Sequence, residues 1–294
     1  YLGSAKLGKG GKKVAKQNRT EEQWSDVKYA YFDCRRYANL SDKTIRGTVK
    51  IWNTDLPAIG MLWLKKFSSL SEQCAEGSLL ERFVDEIYDS FWKRELDAED
   101  ATLILNVLEQ IGAPTEGFLK YTQTDGAVLN NYLQESSFNA GIYGVPTYIL
   151  PSESETDPQN EKFFGREHLP RISWLLTGRN GQAPDLAYNL NPDVDETVLS
   201  KSVAEPRLEP ELKMLPKRLT IFFDFNSLHC YLALDSILSF KAEGISISWR
   251  PVSSMYLKEP PEETKDEDRS TKHRRFRAEY QVNDIQRYAP HDLN

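Results

Sequence analysis

One ten-residue frame occurs twice, and it limits the architectures open to this chain more than any other feature. Residues 29–38 read YAYFDCRRYA and residues 280–289 read YQVNDIQRYA, so both fit Y-x-x-x-D-x-x-R-Y-A. Tyr1-Leu2 stands upstream of the first copy and Tyr256-Leu257 upstream of the second, with the intervening segment four residues shorter in the second. A loop leading into a helical pattern, met twice in the same order, marks one structural unit used twice. The chain is therefore expected to start inside one domain and to stop inside a second copy of it. The first copy lacks a βαβ opening, and the second lacks everything after its first inserted helix.

The patterns between the two frames fill in the order of elements. Residues 24–38 read as an aromatic-rich helix, and 55–140 are strongly helical. Leu79, Leu80, Phe83, Val84, Ile87, Tyr88 and Phe91 recur at three- and four-residue intervals and predict one apolar helix face. Asp97 is the expected N-cap of the next helix, Ala98–Ile111, which stops at Gly112 and Pro114. A further helix, about 126–140, ends at Gly141. Val145–Leu150 and Lys162–Phe164 are then short apolar runs around the polar stretch PSESETDPQN, the pattern of a hairpin. Arg166–Leu176 is a closing amphipathic helix stopped by Gly178. Residues 178–217, punctuated by proline and rich in Asn, Asp and Glu, read as a linker. Strand 218–225, helix 227–242, Gly244 and strand 245–252 make a βαβ unit, and the tail turns helical after about 272.

Composition excludes several function classes. The chain has 294 residues, 39% of them hydrophobic and 28% charged, which suits a soluble globular protein of two average domains. A net charge of −7 gives no general case for nucleic acid. The basic clusters Lys6–Arg19 and His273–Arg277 have acidic neighbours and read as solvated faces. Cys34, Cys74 and Cys230 are too sparse for a C-x-x-C motif or a zinc-finger spacing, so no metal is expected, and they suit a reducing compartment. No eighteen-residue apolar run and no signal peptide is visible, so neither membrane insertion nor secretion is expected, and the cytoplasm is the expected location.

Two short stretches carry chemistry. In FFDFNSLHCYLAL (222–234) an apolar strand meets a polar corner and then a helix. Such a corner presents unpaired backbone N–H groups and a partial positive charge, which stabilise an anion. Ser227 opens the helix and Cys230 lies one turn later; alone, they also read as an ordinary N-cap and a small buried hydrophobe. In GIYGVPTYIL (141–150), Val145-Pro146 opens a strand after glycine, a place for a cis-proline turn or for an ordinary strand start.

Taken in order, βαβ, a helical insertion, G-V-P-T opening a hairpin, F-F-G and a last helix resemble a thioredoxin-type fold with an inserted all-helical domain. FFDFNSLHCYLAL, NTDLPA (53–58), ESSFNAGIYGVPTYIL (135–150) and FFGREHL (163–169) are similar to the DsbA-like superfamily, in the branch of 2-hydroxychromene-2-carboxylate isomerases and kappa-class glutathione transferases. The resemblance covers nearly all of the chain outside the linker, in two incomplete copies. Residues 1–177 would be a domain lacking its βαβ opening, with the insertion at about 24–140 and the hairpin and last helix at 145–177. Residues 218–294 would be the opening and first inserted helix of a second copy.

The resemblance implies roles residue by residue. Ser227 falls on the serine that replaces the redox cysteine in this branch and stabilises the thiolate of glutathione. Val145 precedes the family's cis-proline, here Pro146, and its backbone would pair with the cysteinyl part of glutathione. Glu167 falls on the acidic position that receives the γ-glutamyl amine; alone, it also reads as a first-turn acid favoured by the helix dipole. Asn53 matches a polar site near the substrate. The activity implied is a glutathione-dependent transferase or isomerase acting on a small electrophile or unsaturated acid, with a homodimer as the assembly. Leu228 stands where the family usually has proline, and His168 where it has a basic residue. His229-Cys230 looks more like the redox branch, which keeps a DsbA-like thiol-disulfide oxidoreductase as an alternative. A degenerate, non-catalytic tandem module is a second alternative. Ser227 belongs to the second copy, whereas Val145, Pro146 and Glu167 belong to the first. One site requires the late βαβ unit to dock on the early hairpin, as in a circular permutation, across a linker whose forty residues span roughly 35 Å.

Overall fold

The structure is a computed structural model that describes residues 21–47, 50, 52–151, 160–187, 218–225, 227–239, 244–253, 263–264 and 267–288. These residues form a mixed α/β molecule. They divide into two compact units, one up to Ala140 and one from Gly141. The division falls between the last inserted helix and the hairpin, not in the linker. Most of that linker, the hairpin loop 152–159, and both upstream Tyr-Leu pairs lie outside the described residues.

The first unit is helical: α1 (Glu21–Leu40), α2 (Asp55–Lys65), α3 (Leu70–Gln73), α4 (Leu79–Lys93), α5 (Ala101–Gln110), α6 (Phe118–Gln123) and α7 (Asp125–Asn139). Its core joins Ile59, Trp63 and Leu64 of α2 to Phe83 and Ile87 of α4, Ile104 and Leu108 of α5, and Phe118 of α6. The periodicity read in 79–91 is this contact, except that Tyr88 is exposed. Gly60 is required at the α2–α4 crossing, because a Cβ there would lie 2.4 Å from the Phe83 ring. Ser78 caps α4 by accepting from the Glu81 N–H at 3.1 Å. The cap of α5 is Asp100, not Asp97. The Asp100 carboxylate accepts from the N–H groups of Thr102 and Leu103, while Asp97 is spent on the N–H of Glu99 in the turn before it. Trp63 donates its indole N–H to the Pro114 carbonyl at 2.6 Å, satisfying the one polar atom it buries.

The second unit holds β1 (Thr147–Leu150), β2 (Glu161–Phe164), a 3-10 turn at Arg166–His168, α8 (Leu169–Leu176), β3 (Arg218–Phe223), α9 (Leu228–Leu232), α10 (Leu234–Ser239), β4 (Ser246–Pro251) and α11 (Arg269–Tyr288). β1 and β2 are antiparallel, with Thr147 opposite Phe164, and β3 and β4 are parallel, with Arg218 opposite Ser246. The single helix expected over 227–242 is two short ones, split at Ala233. The hairpin and the βαβ unit form two separate two-stranded sheets. The continuous sheet that a circular permutation would make is not formed among the described residues. What docks on the hairpin from the late part of the chain is α11. Tyr280 accepts from the Phe164 N–H at 2.8 Å, and Arg287 donates to Glu161 at 2.9 Å and to the Lys162 carbonyl at 3.0 Å. The basic run at its start is not a free patch: Arg275 is tied to Glu263, Glu267 and Glu279.

Candidate functional site

Strand β3 brings the chain to its corner with Phe223 and Asp224 both buried. A turn follows, closed by the Ser227 N–H donating to the Asp224 carbonyl at 3.1 Å. Ser227 then sits in extended conformation as the N-cap of α9, and its Oγ accepts from the Cys230 N–H at 3.3 Å. That bond uses a lone pair and leaves the hydroxyl hydrogen to donate elsewhere. The corner opens on a pocket of about 480 Å³ lined by Phe223, Asp224, Phe225, Ser227, Tyr231, Leu234, Trp249 and Pro251. Its walls are aromatic: the Phe223 ring centroid lies 5.4 Å from that of Trp249 and 5.5 Å from that of Phe225. Polar side chains enter only through Asp224, Ser227 and the Tyr231 hydroxyl. Cys230 is a half-buried free thiol and His229 is exposed on the same short helix; neither lines the pocket.

The other expected residues lie elsewhere. The Val145–Pro146 peptide is cis, and Val145 is 74% exposed. The Pro146 carbonyl accepts from the Gly165 N–H at 3.0 Å, which ties the strand entry to the end of β2. Glu167 lies in the 3-10 turn with its carboxylate folded back over Gly165, where a Cβ would meet it at 2.4 Å; Gly165 itself has φ +113°. Val145, Pro146 and Glu167 therefore share the hairpin end, on a different sheet from Ser227, and none of them lines the Ser227 pocket. Asn53 belongs to the first unit. Its side chain accepts from the Asp55 N–H at 2.8 Å and its own N–H donates to Glu99 at 2.9 Å, so it shapes the entry to α2.

Two groups of residues were not foreseen. Asp224, Tyr231 and Trp249 line the pocket; the only signal was an acid between two phenylalanines at a strand end. The second group surrounds His168, which is 2% exposed. Its Nδ1 is 2.8 Å from the Tyr288 hydroxyl and its Nε2 is 3.3 Å from the Tyr280 hydroxyl. The Asp284 carboxylate is 3.8 Å from the same Nε2. Burial holds the His168 pKa below its ordinary 6.5, against the opposing pull of Asp284 and Glu167. Burial likewise pushes Tyr280 up to about 12 and Tyr288 upward. These hydroxyls are thus neutral donors and acceptors between α11 and the hairpin, with their partners supplied by protein.

Among the described residues, no group of three or more His, Cys, Asp and Glu side chains could hold a metal ion, and no helix is long and apolar enough to cross a membrane. Comparison with protein-family models and with curated proteins finds no match to this chain.

Proposed function

We propose that the Ser227 pocket is the reaction site of a glutathione-dependent transferase or isomerase on a thioredoxin-like, tandem DsbA-type scaffold. The observation that carries the proposal is a capping serine opening into an aromatic pocket large enough for a small organic substrate. In this reading the Ser227 hydroxyl donates to the sulfur of glutathione and favours the thiolate over the thiol. The thiolate attacks an electrophile held against Phe223, Tyr231 and Trp249, with the leaving group departing as its anion. With an unsaturated acid it adds reversibly to the double bond, so that bond rotation precedes its loss. Val145, whose exposed backbone could pair with a peptide, is proposed for the cysteinyl segment of glutathione, and Glu167 for the γ-glutamyl amine. Asn53, engaged with Asp55 and Glu99, is proposed to act only through the shape of the α2 entry.

The proposal is tested by retention on immobilised glutathione and by turnover of a chlorodinitrobenzene-type electrophile, each compared with Ser227→Ala. Retention and turnover that both fall in Ser227→Ala support it. Loss of neither, or activity toward a dithiol substrate that requires Cys230, would overturn it in favour of a binding module or an oxidoreductase respectively.

A further inference from the structure

The repeated frame is a docking code, and only one of its two copies is in use. In α11 the frame residues Tyr280, Asp284, Arg287 and Tyr288 lie at i, i+4, i+7 and i+8, on adjacent turns of one helix face. Each takes part in the contact with the hairpin. Tyr280 accepts from Phe164, and Tyr288 meets His168 at 2.8 Å. Arg287 reaches Glu161 and the Lys162 carbonyl and lies 4.0 Å over the Phe163 ring. Asp284 bonds both Arg287 and Tyr280 and so orients the donors. The receptor for this face is β1–β2 together with His168 and Arg171, whose guanidinium lies over the Tyr288 ring.

Helix α1 carries the same four residue types at the same spacing: Tyr29, Asp33, Arg36 and Tyr37. The internal ion pair is already made, with Arg36 3.3 Å from Asp33, as Arg287 pairs with Asp284. Yet this face is open. Tyr29 is 61% exposed, and the Arg36 side chain is 57% exposed against 12% for Arg287. Helix α1 packs within its own unit by the opposite side. Tyr31 meets the Trp92 ring, Arg35 donates to the Ile45 carbonyl at 2.8 Å, and Ala38 is buried. Engaging the Tyr29 face would leave those contacts intact.

We infer that α1 is a second ligand for the hairpin receptor, and that its Tyr29–Asp33–Arg36–Tyr37 face docks on β1–β2 and His168 of a second copy of this chain in place of that copy's α11. The occupant follows from complementarity seen within the chain: Glu161 for the Arg36 guanidinium, the Phe163 ring beneath it, and His168 for the Tyr37 hydroxyl. α11 remains the stronger ligand. Its His273 reaches the Tyr143 carbonyl at 2.9 Å and Phe276 lies against Gly141, whereas the matching positions in α1 are Glu22 and Ser25. The assembly is therefore an exchange in which α11 must first leave. This inference is independent of the chemistry proposed for Ser227.

Cys34 supplies a reporter. It is exposed in α1, and its counterpart in the docked helix is Ile285, which is buried. In the full-length chain carrying Tyr280→Ala and Arg287→Ala, which weakens the resident helix, light scattering is expected to report a dimer and modification of Cys34 to slow. Adding Arg36→Ala should reverse both. A chain that stays monomeric overturns the proposal, whatever happens to Cys34. Because those substitutions could unfold the hairpin, a second measurement leaves the chain unaltered and titrates it with a fluorescent peptide of residues 21–40. Saturable binding, competed by a peptide of residues 269–288 and weakened about tenfold by Arg36→Ala in the labelled peptide, is expected. No saturable binding, or binding indifferent to Arg36, overturns it.

Discussion

The two units are held together by different physics. The first closes on a dry core, with Phe83, Ile104, Leu108 and Phe118 at 1% exposure or less and their contacts made between neighbouring helices. The second joins a two-stranded hairpin to α11 through hydroxyls, a carboxylate, an imidazole and a guanidinium drawn from sequence positions more than 100 residues apart. An apolar core tolerates changes of partner so long as volume is kept. A buried polar contact has no such tolerance, since removing one member strands the others. The first unit is therefore a scaffold by shape, and the second is specified by a few named bonds.

The largest effect expected breaks the first half of that comparison. Phe83→Ala opens a cavity beneath Gly60 and should destabilise the helical unit by about 3–5 kcal/mol, read as faster hydrogen exchange in α2, α4 and α5. Exchange in β1, β2 and α11 should change much less. The next breaks the second half. Arg287→Ala removes the bonds to Glu161 and Lys162 and leaves Asp284 without its cation, at a cost of about 2–3 kcal/mol. Protection should fall in β2 and α11 while the helical core keeps its own. Ser227→Ala removes a single cap and should cost about 1 kcal/mol, confined to β3, α9 and α10.

The smallest effect is that of pH, because Asp284 and Glu167 offset part of the burial acting on His168. The folded state holds the His168 pKa below 6.5, so below that value the unfolded chain binds the extra proton first. The stabilisation is complete above pH 6.5 and is lost as the pH falls toward the folded-state pKa. Thermal melting of the hairpin unit should therefore drop on acidification. His168→Gln should flatten that dependence without touching the helical unit.

Legibility followed the same division. The helices of 55–140 could be read because their burial repeats every three or four residues, and the hairpin because G-V-P-T and F-F-G punctuate it. The cap of α5 was misread because D-A-E-D offers two acids three residues apart, and only the direction of chain entry selects Asp100. The serine corner was visible as a strand meeting a polar turn, but Asp224 and Trp249 were not, since pocket walls come from residues with no local pattern. The docking of α11 was least legible. Its residues were noticed as a repeat, yet nothing local says that a Tyr will meet a strand N–H 116 positions away.

The account's central claim is that Ser227 stabilises a bound thiolate. It is tested most directly by titrating the thiolate absorbance of glutathione in the presence of saturating protein, with the unaltered chain and with Ser227→Ala. The account predicts that the bound thiol ionises below the ordinary thiol pKa of about 8.5 with the unaltered chain and returns toward it with Ser227→Ala. Glutathione that does not bind, or that binds with the same pKa in both proteins, would contradict it.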